Sequence, residues 1–506
     1  MTMARISGMG DASAVTFTFA NDPLADFSRD DNRQAMQAAL ADVKRRLGQS
    51  YPLVLDGRRV DTAEWIESLN PSHVREIVGR CGKATTQHAR DALAAAERAF
   101  PAWRDTPFEE RCRLLERAAD IMRKRRFELA AWEVFECGKQ WREADADVAE
   151  TIDYCRYYAD EMRRLGRGYS MNVPGETNHY FYEPRGIAVI IAPWNFPLAI
   201  LCGMTTAALV TGNTAIMKPA EQSSVIAAKL QEILEEAGAP AGVVQYLPGI
   251  GEEIGPTLTE DPRTALVAFT GSRGVGLLLN RQTAEVKDGQ DHIKRMIAEL
   301  GGKNAIIVDD DADLDQAVEG VVASAFGYAG QKCSACSRVI VVGAAYAEFR
   351  TRLGAAVESL VVGPSHDPYT FVPPVISADA KERIEGYARL AATEGSLVAE
   401  AQVPGGTGYY VAPRVYEGLA LDSKVAREEV FGPLLLLFRA ESFEEAVALA
   451  LDSPFGLTGG VFSRNPRNIE RARREFRAGN LYINRKITGA IVGRQPFGGL
   501  AMSGLG

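Results

Sequence analysis

The spacing of apolar residues divides the chain into a helical first part and an alternating second part. Before residue 165, apolar residues recur every three or four positions, which predicts helices at 33–47, 86–103, 108–134 and 141–164. From Gly186 onward, short apolar runs typical of buried parallel strands are predicted at 186–192, 214–217, 243–247, 265–269, 305–308, 339–342, 434–437 and 459–462. Helical patterns separate them at 198–210, 223–237, 274–284, 314–327, 344–359, 378–394, 443–451 and 466–476. This alternation predicts an α/β fold with two lobes and a doubly wound sheet.

Residues 166–184 follow neither pattern. Tyr169, Met171 and Val173 on one side and residues 179–182 on the other flank Pro174-Gly175, which predicts a β-hairpin. An apolar hairpin left in solvent would be an edge prone to aggregation. We therefore expect a homo-oligomer, a dimer or higher, in which a second copy covers this hairpin.

A long uncharged run, from Gly186 to Met217, has the length of a membrane span. Pro193, Asn195 and Pro197 interrupt it, and a proline inside a helix costs about 3 kcal/mol or more. A buried strand, a loop and a buried helix explain the run better, so no membrane partner is expected.

Composition narrows the class of protein. The chain has 506 residues, 46% hydrophobic and 24% charged, with a formal net charge of −9, which is typical of a soluble globular protein and argues against nucleic acid as a partner. The 7 cysteines are too few for a disulfide scaffold, and the first 30 residues contain no apolar signal segment, so a cytoplasmic location is expected. The 5 histidines have no metal-ligand spacing, so no metal site is predicted.

Three loops contain residues suited to chemistry. Cys333 lies in a loop after Gly330, and Lys332 beside it is expected to favour the thiolate, although an inert thiol or a redox pair with Cys336 would also fit. Asn195 follows a predicted strand, where its amide could stabilise an oxyanion or merely complete its own turn. The glycine-rich turn 269–276 could bind a phosphate at a helix N-terminus.

These loops belong to a set of motifs that occur in one order along the chain. The motifs are Asn195, 218–221, 269–272, 299–303, 330–333, 429–433 and 496–499. The chain resembles the aldehyde dehydrogenase superfamily from about residue 50 to its end. The resemblance implies a Rossmann-like NAD-binding lobe at 1–165 and 185–301, a catalytic α/β lobe at 302–484 and an oligomerisation hairpin at 166–184. It also implies a C-terminal substrate-anchor segment at 485–506, which we expect to be incomplete.

The same resemblance implies residue roles. Cys333 would attack the aldehyde carbon, Asn195 and the Cys333 N–H would hold the oxyanion, and Glu299 would activate the water that hydrolyses the thioester. NAD is the implied cofactor. Its implied contacts are Lys218 and Glu221 at the adenine ribose, Gly271, Ser272 and Gly276 at the pyrophosphate, Glu429 at the nicotinamide ribose, and Phe431 and Trp194 nearby.

The C-terminal motifs narrow the resemblance. Residues 484–490 and 492–499, with 331–335, 192–197, 135–139 and the opening Asn21-Asp22-Pro23, are similar to the L-glutamate γ-semialdehyde (1-pyrroline-5-carboxylate) dehydrogenases. In that subfamily a serine and a pair of backbone amides, here Ser334, Gly489 and Ala490, hold the substrate carboxylate. Phe196 and Phe497 would enclose its aliphatic chain.

The implied function is NAD-dependent oxidation of L-glutamate γ-semialdehyde to L-glutamate in proline catabolism. Two alternatives stay open at this point. One is a dehydrogenase of another semialdehyde, such as succinic semialdehyde, and the other is a catalytically silent relative. The segment 496–504 lacks a basic residue found in many general relatives, which bears on specificity rather than on the chemistry.

Overall fold

A computed structural model describes residues 19–505 of the protein. The strands are β1 (Gln49–Tyr51), β2 (Leu53–Leu55), β3 (Arg58–Val60), β4 (Trp65–Asn70), β5 (His73–Gly82), β6 (Tyr169–Ser170), β7 (His179–Tyr180), β8 (Ile187–Ile191), β9 (Thr214–Lys218), β10 (Val244–Tyr246), β11 (Thr264–Thr270), β12 (Arg295–Glu299), β13 (Asn304–Val308), β14 (Cys336–Val342), β15 (Ser396–Glu400), β16 (Arg414–Glu417), β17 (Leu434–Ala440), β18 (Phe455–Gly456), β19 (Thr458–Phe462), β20 (Asn480–Ile483), β21 (Leu500–Ala501) and β22 (Gly504–Leu505).

The α-helices are α1 (Asp30–Arg45), α2 (Thr86–Asp105), α3 (Phe108–Lys124), α4 (Arg126–Glu136), α5 (Trp141–Leu165), α6 (Ala199–Val210), α7 (Ser224–Glu236), α8 (Gly251–Glu260), α9 (Arg273–Ala284), α10 (Leu314–Phe326), α11 (Ala345–Glu358), α12 (Ala378–Glu394), α13 (Lys424–Arg427), α14 (Phe443–Leu451) and α15 (Pro466–Glu475). Short 3₁₀ helices lie at Glu221–Ser223 and Gly327–Gly330. None of the helices in residues 19–505 is long and apolar enough to cross a membrane.

An eight-stranded sheet forms the first lobe, in the order β22-β12-β11-β8-β9-β10-β2-β3. Its inner strands, from β12 to β10, are parallel. The continuous apolar runs predicted β8 to β11 but not β12, whose ends are Arg295 and Glu299. Helices α2 and α8 pack on one face of the sheet and α6 and α7 on the other. Both faces are therefore buried at β8, β9 and β11, which is why those strands lack alternating polar residues.

A seven-stranded sheet forms the second lobe, in the order β15-β16-β17-β14-β13-β19-β20. All its neighbouring strands are parallel except the antiparallel pair β15 and β16 at one edge. Helices α10, α11 and α14 contribute to its core. The two α/β lobes predicted from the apolar runs are present.

Two parts of the fold differ from the predicted elements. The helix predicted over 108–134 is two helices that meet at Arg125; both pack on α5 and α7, and α4 packs on α1 as well. The strands β1 to β5 were not predicted, because the first three are only three residues long and pair with distant segments, such as β2 with β10.

The hairpin and the C-terminus complete the fold. Strands β6 and β7 pair antiparallel, and the rings of Tyr169 and Tyr180 stack with centroids 4.9 Å apart. The apolar side chains of the hairpin, including Met171 and Phe181, are exposed. The C-terminal segment does not stand apart, because β22 pairs with β12 and so extends the eight-stranded sheet.

The parallel strands end together at one edge of the eight-stranded sheet. Ile191 pairs with both Lys218 and Phe269, and Thr270 pairs with Glu299. The loops that follow β8, β9, β11 and β12 therefore start at the same edge, and the last of them runs into β13 of the second sheet. Loops at the carboxyl ends of parallel strands are where α/β folds bind ligands.

Candidate active site

The loop that contains Cys333 follows a tightly turned segment of the second lobe. Tyr328 and Ala329 both have φ of 53°, a left-handed conformation that costs energy for residues other than glycine. Asn304, the first residue of β13, holds the loop through bonds from Nδ2 to the carbonyl oxygens of Cys333 (2.7 Å) and Ala335 (2.9 Å). The nucleophile candidate is therefore fixed to the sheet that follows Glu299.

The Cys333 thiol is protonated at rest. Burial, together with the carboxyl groups of Glu429 and Glu299, raises its pKa to about 12. The expected activation by Lys332 is wrong, because the Lys332 ammonium forms an ion pair with Glu143 at 2.7 Å and the pKa of the thiol is raised rather than lowered. Attack on an aldehyde therefore requires a base that accepts the thiol proton.

Asn195 lies in the loop after β8, close to this cysteine loop. Its Nδ2 donates to the carbonyl oxygen of Gln331, two residues before Cys333, at 3.0 Å. A side-chain amide has two N–H groups, so this bond leaves a second donor for the oxygen of a bound aldehyde. The amide bridges two loops, which contradicts the simpler explanation that it only completes its own turn.

A buried cluster holds the backbone around Asn195. The Lys139 ammonium donates to the Asn195 carbonyl oxygen at 3.1 Å and forms an ion pair with Asp147. Asp147 accepts a further bond from the N–H of Ala199, the first residue of α6, at 2.7 Å. Burial lowers the pKa of Lys139, but the carboxylates of Asp147 and Glu133 outweigh burial and hold the pKa above its usual value.

Glu299 is the base candidate at the end of β12. Its Oε1 accepts a bond from the Gly499 N–H at 3.2 Å, whereas its Oε2 is buried and has no protein partner in the described part of the chain. Burial raises its pKa to about 7, and the Gly499 bond offsets only part of that shift. A carboxyl group with this pKa can both accept and release a proton near neutral pH.

Glu429 lies close enough to Cys333 for its charge to raise the pKa of the thiol. Its Oε1 accepts from the Gly302 N–H at 2.9 Å, and burial raises its pKa to about 7. A Cβ atom placed on Gly301 would lie 2.0 Å from its Oε2, so the carboxyl group fits only against glycine. Phe431, with φ of 53°, sets its ring edge-on to Trp194, with centroids 5.6 Å apart.

The remaining cofactor candidates lie at the ends of β9 and β11. The Lys218 ammonium is 2.7 Å from Glu221 Oε1, which also accepts the Gly251 N–H at 2.9 Å. Ser272 is the N-cap of α9, and its Oγ accepts from Val275 N at 3.3 Å.

Two glycines keep this helix N-terminus close to the sheet. A Cβ on Gly276 would lie 2.3 Å from Leu300, and one on Gly271 would lie 2.6 Å from the ring of Phe269. A charged pair for ribose hydroxyls and a helix N-terminus for phosphates both fit a dinucleotide.

The predicted substrate residues fall into two groups. Phe196, Gly489 and Ala490 line one cavity of about 1870 Å³, together with Lys332 and Glu143.

Ser334 and Phe497 are not among the residues that line this cavity. Ser334 is buried, and its carbonyl oxygen accepts from Thr458 Oγ1 at 3.2 Å. Phe497 is 38% exposed and precedes the glycines beside Glu299. Their roles at the substrate stay predictions.

Sequence reasoning missed several residues of the site. Lys139 was noted only within a motif, and Asp147 and Glu143 were not singled out. Their spacing on α5 resembles that of any amphipathic helix with charged positions. The available signal was Asp147 itself, a charged residue on the apolar face of α5.

Comparison with known proteins identifies the family. A model of the aldehyde dehydrogenase family matches residues 59–506. The chain belongs to this family. Its two lobes and its order of motifs are those expected for an aldehyde dehydrogenase.

Similar curated relatives have narrower names. A protein from Geobacillus thermodenitrificans named 1-pyrroline-5-carboxylate dehydrogenase is 47% identical over 487 residues, 96% of this chain and 95% of the relative. A Bacillus subtilis protein named 1-pyrroline-5-carboxylate dehydrogenase 2 is 44% identical over 491 residues, 97% of this chain and 95% of the relative.

Solved structures agree with these matches. A 1-pyrroline-5-carboxylate dehydrogenase from Thermus with bound NAD superposes with a TM-score of 0.94 at 47% identity, covering 96% of this chain and 95% of the other. Proline utilization A from Bdellovibrio bacteriovorus superposes with a TM-score of 0.95 at 46% identity and covers 97% of this chain. The present chain spans only 51% of that longer protein.

Proposed function

We propose that the protein catalyses the NAD-dependent oxidation of L-glutamate γ-semialdehyde, the open form of 1-pyrroline-5-carboxylate, to L-glutamate. The proposal rests on three groups that lie together where the first sheet leads into the second. These are the Cys333 loop, the Asn195 amide bonded to that loop, and a buried Glu299 carboxyl group with one oxygen that has no partner among residues 19–505. The relatives named above support this choice of substrate.

Cys333 supplies the nucleophile. Its sulfur bonds to the aldehyde carbon, and Glu299 accepts the thiol proton. The carbonyl oxygen becomes an oxyanion, which the second N–H of Asn195 Nδ2 and the Cys333 backbone N–H stabilise. One such donor is typically worth about 10²–10³ in rate.

NAD, when bound, supplies the hydride acceptor that turns the thiohemiacetal into a thioester. Lys218 and Glu221 would hold its adenine ribose, Ser272 with Gly271 and Gly276 its pyrophosphate, and Glu429 its nicotinamide ribose, with Phe431 and Trp194 packed beside it.

Glu299 first releases the thiol proton to solvent and then removes a proton from the water that attacks the thioester carbon. The carbon–sulfur bond breaks, the carboxylic acid leaves and loses its proton to solvent, and Glu299 returns its proton to the Cys333 sulfur, which restores the thiol.

The substrate carboxylate would lie at the backbone amides of Gly489 and Ala490 and the hydroxyl of Ser334. Converging N–H and O–H donors suit an anion. Phe196 supports this placement because it lines the same cavity as Gly489 and Ala490. Phe497 would close the other side of the aliphatic chain.

The same proposal covers the organisation of the enzyme. It assigns NAD binding to 1–165 and 185–301, catalysis to 302–484, self-association to the hairpin 166–184 and substrate anchoring to 485–506. It also places the enzyme in the cytoplasm as a homo-oligomer. Exposure of Met171 and Phe181 supports the role of the hairpin, and sedimentation of the wild type beside a Met171→Ser, Phe181→Ser variant tests it.

The deciding experiment measures NADH formation with 1-pyrroline-5-carboxylate, succinic semialdehyde and propanal. We expect kcat/KM to be at least about tenfold higher for the first substrate, which corresponds to roughly 1.4 kcal/mol of discrimination. Cys333→Ala should abolish oxidation of all three and retain NAD binding. Preference for succinic semialdehyde would replace the proposed substrate, and no NADH from any aldehyde would favour a silent relative.

A further inference from the structure

A short N-terminal segment, residues 19–25, lies along helix α5, and we call it the strap. Two of its backbone N–H groups donate to carboxylates of that helix, Asp22 N to Asp153 Oδ1 at 2.7 Å and Ala25 N to Asp145 Oδ2 at 2.8 Å. The buried Asp22 carboxylate in turn accepts bonds from Arg123 and Arg126. The strap is therefore attached to α5 and to the junction of α3 and α4.

The strap also contacts the loop 489–495, which we call the anchor loop. The Asn21 amide nitrogen donates both to Asp153 Oδ2 and to the carbonyl oxygen of Val492, each at 2.8 Å. Phe19 packs beside Gly493, where an added Cβ would lie 3.1 Å from its ring. Asn21 thus connects a rigid helix to the anchor loop through one side chain.

The anchor loop carries the backbone amides of Gly489 and Ala490. It contains no regular strand or helix, and Gly489 and Gly493 have φ of 78° and 76°. Such a loop has little stiffness of its own, so its amides need support from outside to keep a fixed position. The bond from Asn21 to Val492, two residues beyond Ala490, is one such support.

Helix α5 also reaches the catalytic loop. Glu143, in its first turn, pairs with Lys332 beside Cys333, and Asp153, ten positions further along, holds Asn21. One helix therefore relates the position of the nucleophile to that of the anchor loop. The distance from the nucleophile to the anchor loop, which a bound substrate must span, depends on that relation.

We propose that the strap is a positioning element that sets specificity for aldehydes carrying a carboxylate, with Asn21 as its decisive residue. This inference rests on the proposed function, because it takes the amides of Gly489 and Ala490 as the carboxylate anchor. Asn21 touches no reacting atom. It acts by holding Val492, so its loss lets the amides move and weakens only the binding of substrates that use them.

The test compares Asn21→Ala with Asn32→Ala in the full-length enzyme. Asn32 is a matched control, since it has the same side chain in the same terminal region and its amide donates to the nearby Asp26 carbonyl oxygen, at 3.0 Å. Initial rates are measured with 1-pyrroline-5-carboxylate and with propanal, which lacks a carboxylate. Inhibition of propanal oxidation by L-glutamate reports on the anchor without the chemistry.

For Asn21→Ala we expect KM for 1-pyrroline-5-carboxylate and the inhibition constant of L-glutamate to rise together by about five- to twentyfold. The kcat for both aldehydes and the KM for propanal should stay within about twofold of wild type, and Asn32→Ala should match wild type throughout. If Asn21→Ala does not fold, Phe19→Leu tests the same attachment at Gly493 with the same readouts.

Three results would overturn the inference. Unchanged kinetics in Asn21→Ala would show that the strap does not position the anchor loop. An equal loss with both aldehydes would show a merely structural role. A wild-type enzyme that does not prefer 1-pyrroline-5-carboxylate and is not inhibited by L-glutamate would remove the proposed function itself, and the inference with it.

Discussion

The pH dependence of turnover should report the ionisation of Glu299. Burial raises the pKa of this carboxyl group to about 7, so the carboxylate, which is the form that accepts a proton, predominates only above that pH. The ionised fraction is about 90% at pH 8 and about 10% at pH 6, so kcat should fall about tenfold between them. The kcat should therefore decrease as the pH is lowered.

The assay should use propanal rather than 1-pyrroline-5-carboxylate. Cyclisation of the semialdehyde requires a neutral amine, so the amount of open aldehyde itself changes with pH. Propanal cannot cyclise in this way, and its kcat at saturation therefore reports on the enzyme.

Glu299→Gln keeps the size and the bond from Gly499 but removes the base. We expect kcat at pH 8 to fall by about 10²–10⁴, the usual contribution of a general base, which corresponds to roughly 3–5 kcal/mol. The increase in kcat between pH 6 and pH 8 should disappear in this variant. Reaction of Cys333 with a thiol reagent at pH 9 checks that the nucleophile remains accessible.

A second carboxyl group provides the sharpest control. Burial also raises the pKa of Glu429 to about 7, so its ionisation could produce the same rise in kcat. Glu429→Gln should weaken NAD binding yet keep the rise between pH 6 and pH 8. The reasoning fails if the rise survives in Glu299→Gln, or if it disappears only in Glu429→Gln.

Three further substitutions test other parts of the structure. Cys336→Ala should keep activity within about tenfold of wild type, roughly 1.4 kcal/mol, because its thiol is buried and donates to the Arg338 carbonyl oxygen. Lys139→Met should lower kcat by about tenfold or more, because it removes a donor to the Asn195 carbonyl oxygen and leaves buried carboxylates unpaired. Glu136→Ala should destabilise the fold by about 3 kcal/mol or more, since its carboxylate accepts three buried bonds, two of them from the first turn of α7.

Each of these has a measurement and an outcome that contradicts it. Steady-state rates decide Cys336→Ala, where a loss beyond tenfold would make this thiol part of the reaction. For Lys139→Met, a matched Lys139→Arg variant that regains activity supports the positioning role, and full activity in the methionine variant excludes it. Melting at a fixed scan rate compares Glu136→Ala with the exposed Glu110→Ala, and equal melting temperatures would exclude the capping role.

The sequence alone determined the broad organisation of this protein and the identity of its main chemical groups. Apolar runs without polar alternation predicted most of the parallel strands between β8 and β19, because a strand that helices bury on both faces has no polar side. They did not predict the parallel strands β12 and β16. The order of short motifs around Asn195, Glu299 and Cys333 predicted the family, and the family model that matches residues 59–506 confirms it.

The tertiary structure decided what depends on contacts between distant residues. The sequence placed Lys332 next to Cys333 and suggested thiol activation. The fold instead pairs the Lys332 ammonium with the carboxylate of Glu143, which lies 189 positions away in the chain. The short strand β2 joins the first sheet by pairing with β10, which lies far from it along the chain, and β3 joins through β2.

The support of the site also belongs to the tertiary structure. Asn21 lies 471 positions from Val492, and Lys139 lies 56 positions from Asn195, so no local pattern relates them. Local propensity acts over a few residues, whereas bonds such as these exist only once helices and sheets have packed. The chemistry of this enzyme can therefore be predicted from its motifs, but the geometry that positions each group depends on the whole fold.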